Sequence, residues 1–188
     1  MIQPNVIFHD NGAWFDYTTS KRLPYGTLMI AQDGRWFRYG EVGGTQVAAG
    51  RVVQSELPGA DFDLLVVAAA AAVGDRVIQF DNGLTAITGR AGNTPGDFDE
   101  GYVNVEDDAG EGHIYQVESV PTAAASLASV DITLAPGNDV QVAITTATTI
   151  GLWKHPYKDI IIHASVPTAA LVGVTPTTAL VDRFGWFQ

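Results

Sequence analysis

Between Gly101 and Val117 the chain writes out one β-hairpin, and this stretch constrains the fold more than any other. Val103 and Val105 alternate with Tyr102, Asn104 and Glu106, and Tyr115 and Val117 alternate with Ile114 and Gln116. That period of two puts one set on a buried face and the other in water. Gly110 and Gly112 in the connection supply the positive φ angles that a reversal needs. Upstream, Thr27–Gln32, Asp33-Gly34 and Arg35–Tyr39 read as a second hairpin, closed by a two-residue Asp-Gly turn.

The same grammar continues along the chain. Paired glycines at Gly43-Gly44 lead into a β-branched run through Val52 and Val53, and Pro58-Gly59 marks a boundary. Phe62–Ala72 reads as a buried strand through Leu64-Leu65-Val66-Val67, although five consecutive alanines also allow a helix. Gly74-Asp75 turns the chain into Arg76–Phe80, and Asp81-Asn82-Gly83 carries a further Asn-Gly hairpin signal. Val130, Ile132 and Leu134 share one face of a half-buried strand; Val140, Val142 and Ile144 share another; Ile160–Ile162 is a short buried strand. Pro156, Pro167 and Pro176 argue against helix in the tail. Short strands separated by turns at roughly 8–12-residue intervals predict an all-β antiparallel sandwich or barrel. The expected organisation is an extended N-terminal arm over 1–25, with packing onto its own domain as the alternative, a small β-hairpin module over 26–57, and a main sandwich or barrel domain over 58–188.

Charge narrows the functional classes. With 21 acidic residues against ten basic ones in 188, the net charge is -11, and a phosphate-binding surface needs the clustered Lys and Arg that this chain lacks. Nucleic acid is therefore not an expected partner. The longest apolar run, Leu64–Val73, has ten residues. A helix needs about 20 to cross a bilayer, so no membrane span is expected. Met1–Asp10 lacks the basic and apolar regions of a signal peptide. There is no cysteine, which removes thiol nucleophiles, thiolate metal sites and disulfides.

Asp97, Asp99, Glu100, Glu106, Asp107, Asp108 and Glu111 crowd one region, but their spacing does not match a calcium loop, and they read as solvated loop charges. A glycosidase pair would need a fixed carboxyl separation that sequence does not show. His9, His113, His155 and His163 form no zinc motif, and no nucleophile elbow or phosphate loop is present. The reading assigns no catalytic, cofactor-binding or metal-ligating residue and no enzyme activity. Its candidate interaction residues are aromatic or flank an aromatic: Trp14, Phe15, Trp36, Arg38, Trp186 and Phe187. Trp36 and Arg38 fall on one strand face, able to anchor a protein or stack on a sugar. The terminal Phe184–Gln188 segment is expected to dock on its own domain, on a neighbouring subunit or on further chain.

A series of short segments carries a resemblance. Tyr25-Gly26-Thr27, Asp33-Gly34-Arg35, Phe37-Arg38-Tyr39, Ala48-Ala49-Gly50-Arg51-Val52-Val53-Gln54, Gly101-Tyr102-Val103, Gly110-Glu111-Gly112-His113-Ile114-Tyr115, His155-Pro156-Tyr157 and Phe184-Gly185-Trp186-Phe187-Gln188 follow one another in an order that resembles virion structural proteins of tailed, largely aquatic bacteriophages. The likeness spans roughly 25–188. Related chains often continue past the Gly-Trp-x-Gln segment with another β segment, which leaves the C-terminal domain boundary open. The resemblance implies a capsid decoration or cement protein on the virion's capsid exterior, assembled in the bacterial cytoplasm. Its partner would be the major capsid protein, and it would act as a homo-oligomer, a trimer being one symmetric form. From a different class, the alternative is a tail or fibre adhesive module that binds host glycans.

Overall fold

The computed structural model describes residues 6–9, 12–57, 59–92, 94–166 and 168–188. Its described residues form thirteen short strands and two single-turn 3-10 helices at Ala13–Phe15 and Ala60–Phe62. The protein is all-β, as the turn spacing predicts. It divides into two compact units, Met1–Leu57 with Pro156–Gln188, and Pro58–His155.

The Pro58–His155 unit is a closed six-stranded antiparallel barrel. Its strands are β5 (Leu65–Ala69), β6 (Val77–Phe80), β7 (Tyr102–Val105), β8 (Ile114–Ser119), β9 (Val130–Leu134) and β10 (Thr149–Trp153), paired around the ring in the order β10-β5-β6-β9-β8-β7. Each strand sends alternate residues inward, and Leu65, Val67, Ile78, Phe80, Val103, Val105, Tyr115, Val117, Val130, Ile132, Leu134, Ile150 and Leu152 fill the interior. The barrel is therefore a packed core with no lumen to spare. The Gly101–Val117 hairpin forms in the expected register, Val103 opposite Tyr115, with Gly110 and Gly112 at positive φ. Phe62–Ala72 resolves in favour of strand.

Two turn readings change. Asn82-Gly83 does not close a hairpin: β6 pairs with β5 and β9, and Gly83 does not adopt a positive φ. The Asn82 amide is buried instead, donating to Thr85 O at 3.1 Å and Ala124 O at 2.8 Å, which fixes the chain leaving β6. Val140, Val142 and Ile144 do not share a buried face. Val140 and Ile144 are buried, whereas Val142 is exposed: the segment forms no continuous strand and is held by separate bonds, Val140 with Gly74 and Asp75 and Ile144 with Ala71, so the period of two does not carry along it.

The other unit holds two sheets. Strands β1 (Val6–His9), β2 (Leu28–Ala31), β3 (Trp36–Glu41) and β13 (Phe184–Phe187) form one, in that order. Strands β11 (Ile161–Ile162), β4 (Val52–Gln54) and β12 (Leu171–Val174) form the other. The Asp33-Gly34 hairpin is present, but its loop has three residues where the sequence predicts two: Gly34 N–H donates to Ala31 O at 2.9 Å, Ala31 N–H donates to Arg35 O at 2.9 Å, and Gly34 takes φ 84°. This is a type I turn closed by a left-handed residue. The carboxylate of Asp33 takes Arg35 N–H at 3.1 Å and its guanidinium at 2.8 Å.

A domain over 58–188 does not match these groupings, because β13 pairs with β3 while β11 and β12 pair with β4. Pairings across more than a hundred residues draw 156–188 back to the N-terminal part of the chain. The extended arm over 1–25 is also replaced in its described part. Strand β1 lies parallel to β2, and Trp14 stacks on Phe37 at 5.2 Å in a buried cluster with Met29, Tyr39 and Trp186. Met1–Asn5, Asp10 and Asn11 lie outside the described residues.

Candidate interaction surface

The β1-β2-β3 sheet has two unlike faces. Ile7, Met29 and Phe37 point to one side, where Trp14 and Trp186 cover them. On the other side, strand register aligns Phe8 with Ile30 and Ile30 with Trp36, and the next row holds Val6, Leu28 and Arg38. Folding leaves this outer row largely uncovered: Phe8 is 79% exposed and Trp36 63%, with Ile30 half-buried between them. Three apolar side chains side by side across three strands, two of them aromatic, make a stripe of roughly 300 Å² of uncovered apolar area. That is the lower end of the range for the largest apolar patch on a monomer, a patch that is often functional. A shallow cavity of about 170 Å³ lined by Phe8, His9, Ile30, Ala31 and Gln32 indents its edge.

The electrostatics of the stripe differ from those of the chain as a whole. Its two rows hold no carboxylate and one cation. Arg38 spends part of its fork within the unit, donating from Nη1 to Gly26 O at 2.8 Å. The nearest turn carboxylate, Asp33, is paired to Arg35 at 2.7 Å. Arg35 in turn lies over the Trp14 ring at 4.4 Å.

The six aromatic and flanking residues singled out in the sequence separate into core and surface. Trp14 is 4% exposed, Trp186 contacts Tyr39 edge-on at 5.3 Å in the same cluster, and Phe187 is fully buried among Val42, Val53, Ile160 and Val172. These three are packing residues, which corrects their reading as surface anchors. The C-terminal aromatics dock within their own unit, the first of the three options the sequence left open. Phe15 is half-exposed against Trp14, with ring centroids 5.6 Å apart. Trp36 and Arg38 do share a face. Phe8 and Ile30 complete the stripe and were not singled out as site residues, because their adjacency depends on a parallel β1-β2 register that no local pattern encodes.

No known protein family, curated protein or solved structure matches the chain.

The acidic run has a structural occupation. Asp107 Oδ1 accepts Thr149 N–H at 2.7 Å, Asp108 Oδ2 accepts the Thr145 hydroxyl at 2.9 Å, and Glu106 Oε2 accepts Leu64 N–H at 2.8 Å. Asp99 is fully buried, takes Gly96 N–H at 2.9 Å and pairs with Arg90 at 2.7 Å. These carboxylates serve as acceptors for backbone and side-chain donors around the barrel. Among the described residues no three His, Asp or Glu side chains stand together as metal ligands, and no helix is long and apolar enough to cross a membrane.

Proposed function

We propose that this protein is a structural component of a tailed-bacteriophage virion, a capsid decoration or cement protein that grips the major capsid shell through the outer face of its β1-β2-β3 sheet. The observation that carries the reading is the in-register Phe8–Ile30–Trp36 row, an apolar stripe without carboxylates on a chain of net charge -11. A surface of that kind suits a protein partner whose own contact face is apolar. The excess acidity elsewhere suits the capsid exterior better than its DNA-facing side. The sequence resemblance to virion proteins supports the same reading. Mechanism follows from mass action: a ligand that binds the assembled shell in preference to separated subunits stabilises the shell, and many identical copies add through multivalency.

The test is binding to undecorated capsids of the same virus. Saturation at a fixed number of copies per major capsid subunit, with a raised capsid disruption temperature, supports decoration and limits the oligomer's symmetry. No binding to mature shells refutes it. Retention on a glycan array that is lost in Trp36→Ala would move the assignment to the tail or fibre adhesive module.

A further inference from the structure

Strands β1, β3 and β13 and the loop after the first 3-10 helix surround a cavity of about 200 Å³, all of it within the unit of Met1–Leu57 and Pro156–Gln188. Its floor is apolar. Ile7 comes from β1, Phe184 and Trp186 from β13 and Leu23 from the loop, while Tyr39 of β3 meets Trp186 with ring centroids 5.3 Å apart. Asp16, Thr18 and Arg22 form a polar rim, with His9 at the β1 end. Main-chain hydrogen bonds fix the rim against the floor. Thr18 N–H donates to Phe184 O at 2.8 Å and Phe184 N–H returns to Thr18 O at 2.9 Å; Asp16 N–H donates to Ala13 O at 3.3 Å, and Arg22 N–H to the Tyr39 hydroxyl at 3.0 Å. The cavity lies on the side of the sheet opposite the Phe8–Ile30–Trp36 row, so it is independent of the proposed capsid contact.

The charges on this rim differ from most others in the chain. Acidic side chains outnumber basic ones by 21 to ten, and Arg35, Arg76, Arg90 and Lys158 each hold a carboxylate at 2.7–3.2 Å. Among the described residues neither Asp16 nor Arg22 has an ion-pair partner, although both line the one cavity. Opposite charges are thus left apart over an apolar floor. A small anion would meet the Asp16 carboxylate, and a neutral apolar molecule would leave both charges unused. A molecule carrying both signs on an apolar body satisfies all three features. Size sets the body: at ~30 Å³ of liquid volume per water, the cavity takes roughly seven waters, which suits an amino acid of about eight or nine non-hydrogen atoms better than a length of peptide. We infer that this cavity is a binding site for a free α-amino acid with a branched aliphatic side chain, its carboxylate on Arg22, its ammonium on Asp16 and its side chain on Phe184 and Trp186. The guanidinium fork presents two parallel N–H donors to a carboxylate, the strong form of that contact. Occupancy also stabilises the folded chain, because the ligand binds the native state alone.

The experiment is an NMR titration of the isotope-labelled full chain with L-leucine, beside three analogues of the same apolar body. N-acetyl-L-leucine lacks the ammonium, L-leucinamide lacks the carboxylate, and isoamyl alcohol lacks both. L-Leucine should shift the Thr18 and Arg22 amides and the Trp186 indole saturably, and each singly charged analogue should bind at least about tenfold more weakly, the loss expected for one charged hydrogen bond. Arg22→Gln and Asp16→Asn, both on the exposed rim, should weaken L-leucine by a similar factor with an unchanged circular-dichroism spectrum. The analogues are read on the wild-type chain, so the test stands even where a variant folds poorly. Absence of a saturable shift at these three residues overturns the site, and so does binding of N-acetyl-L-leucine, L-leucinamide or the alcohol as tight as that of L-leucine.

Discussion

Trp14 and Trp36 lie 22 residues apart in the same unit, and the structure assigns them opposite fates, so replacing each with alanine gives opposite stability predictions. Trp36 keeps 63% of its surface exposed, so folding removes only about a third of it from water. On a side chain of roughly 200 Å², that is about 70 Å², or at most about 2 kcal/mol at ~25 cal/mol/Å². Alanine retains part of this burial and the unfolded chain already hides some of it, which leaves a net cost below about 1 kcal/mol. Trp14 is 4% exposed, stacks on Phe37 at 5.2 Å and carries the Arg35 guanidinium over its ring. Truncating a buried aromatic of this kind costs about 3–5 kcal/mol, because a cavity is left in a close-packed cluster. For a chain of this size, that corresponds to a fall in Tm of roughly 6–20 °C, against less than about 4 °C for Trp36→Ala. Urea unfolding followed by circular dichroism separates the two. Equal costs for the two variants, or a larger cost for Trp36, would refute the division into a covered and an uncovered sheet face.

The Lys158–Glu41 pair is buried at 3.2 Å with Tyr25 hydrogen-bonded to the same carboxylate, so Glu41→Gln should cost about 1–3 kcal/mol by leaving the buried ammonium with only the longer Asp159 contact at 3.8 Å; a urea midpoint within error of wild type would contradict this. A Cβ on Gly185 would sit 2.4 Å from the Tyr17 ring, and Gly185→Ala should destabilise by about 1–3 kcal/mol through overpacking, read as a lower Tm. Asp107→Ala should cost about 1 kcal/mol through the lost bond to Thr149 N–H, while Asp107→Asn, which keeps an acceptor, should cost less. Equal losses in the two Asp107 variants would mean that charge, and not the acceptor, is what the Thr149 contact uses.

The parts of the fold that were legible are those fixed by neighbours in the chain. The β7-β8 hairpin and the β2-β3 hairpin could be read because period-two alternation and glycines at positive φ act within a few residues. Asn82-Gly83 misled for an instructive reason. An Asn-Gly pair closes a tight hairpin by taking positive φ at both residues, and here neither does so, while the Asn82 amide is committed to Ala124, 42 residues away. The return of β13 to β3 and the parallel placement of β1 on β2 arise from pairings with no local signature. The site inherits this limit. Trp36 and Arg38 were visible as one strand face, but the stripe exists only because Phe8 and Ile30 are brought into the same row. Trp14, Trp186 and Phe187 looked like candidate anchors because an aromatic side chain carries no mark of whether the fold will cover it.

The most direct test of the proposed function is co-sedimentation of undecorated capsids with wild-type protein and with a Phe8→Ser, Trp36→Ser variant shown by circular dichroism to be folded. Trp36 has about 125 Å² left to bury on binding, an upper bound of ~3 kcal/mol, of which about 2 should survive the cost of ordering side chains. That is roughly a 30-fold loss of affinity from Trp36 alone. The account predicts saturable binding of wild type at a fixed ratio to the major capsid subunit and loss of most binding in the folded double variant. Undiminished binding by that variant would remove the β1-β2-β3 face from the contact, and absence of wild-type binding would contradict decoration itself.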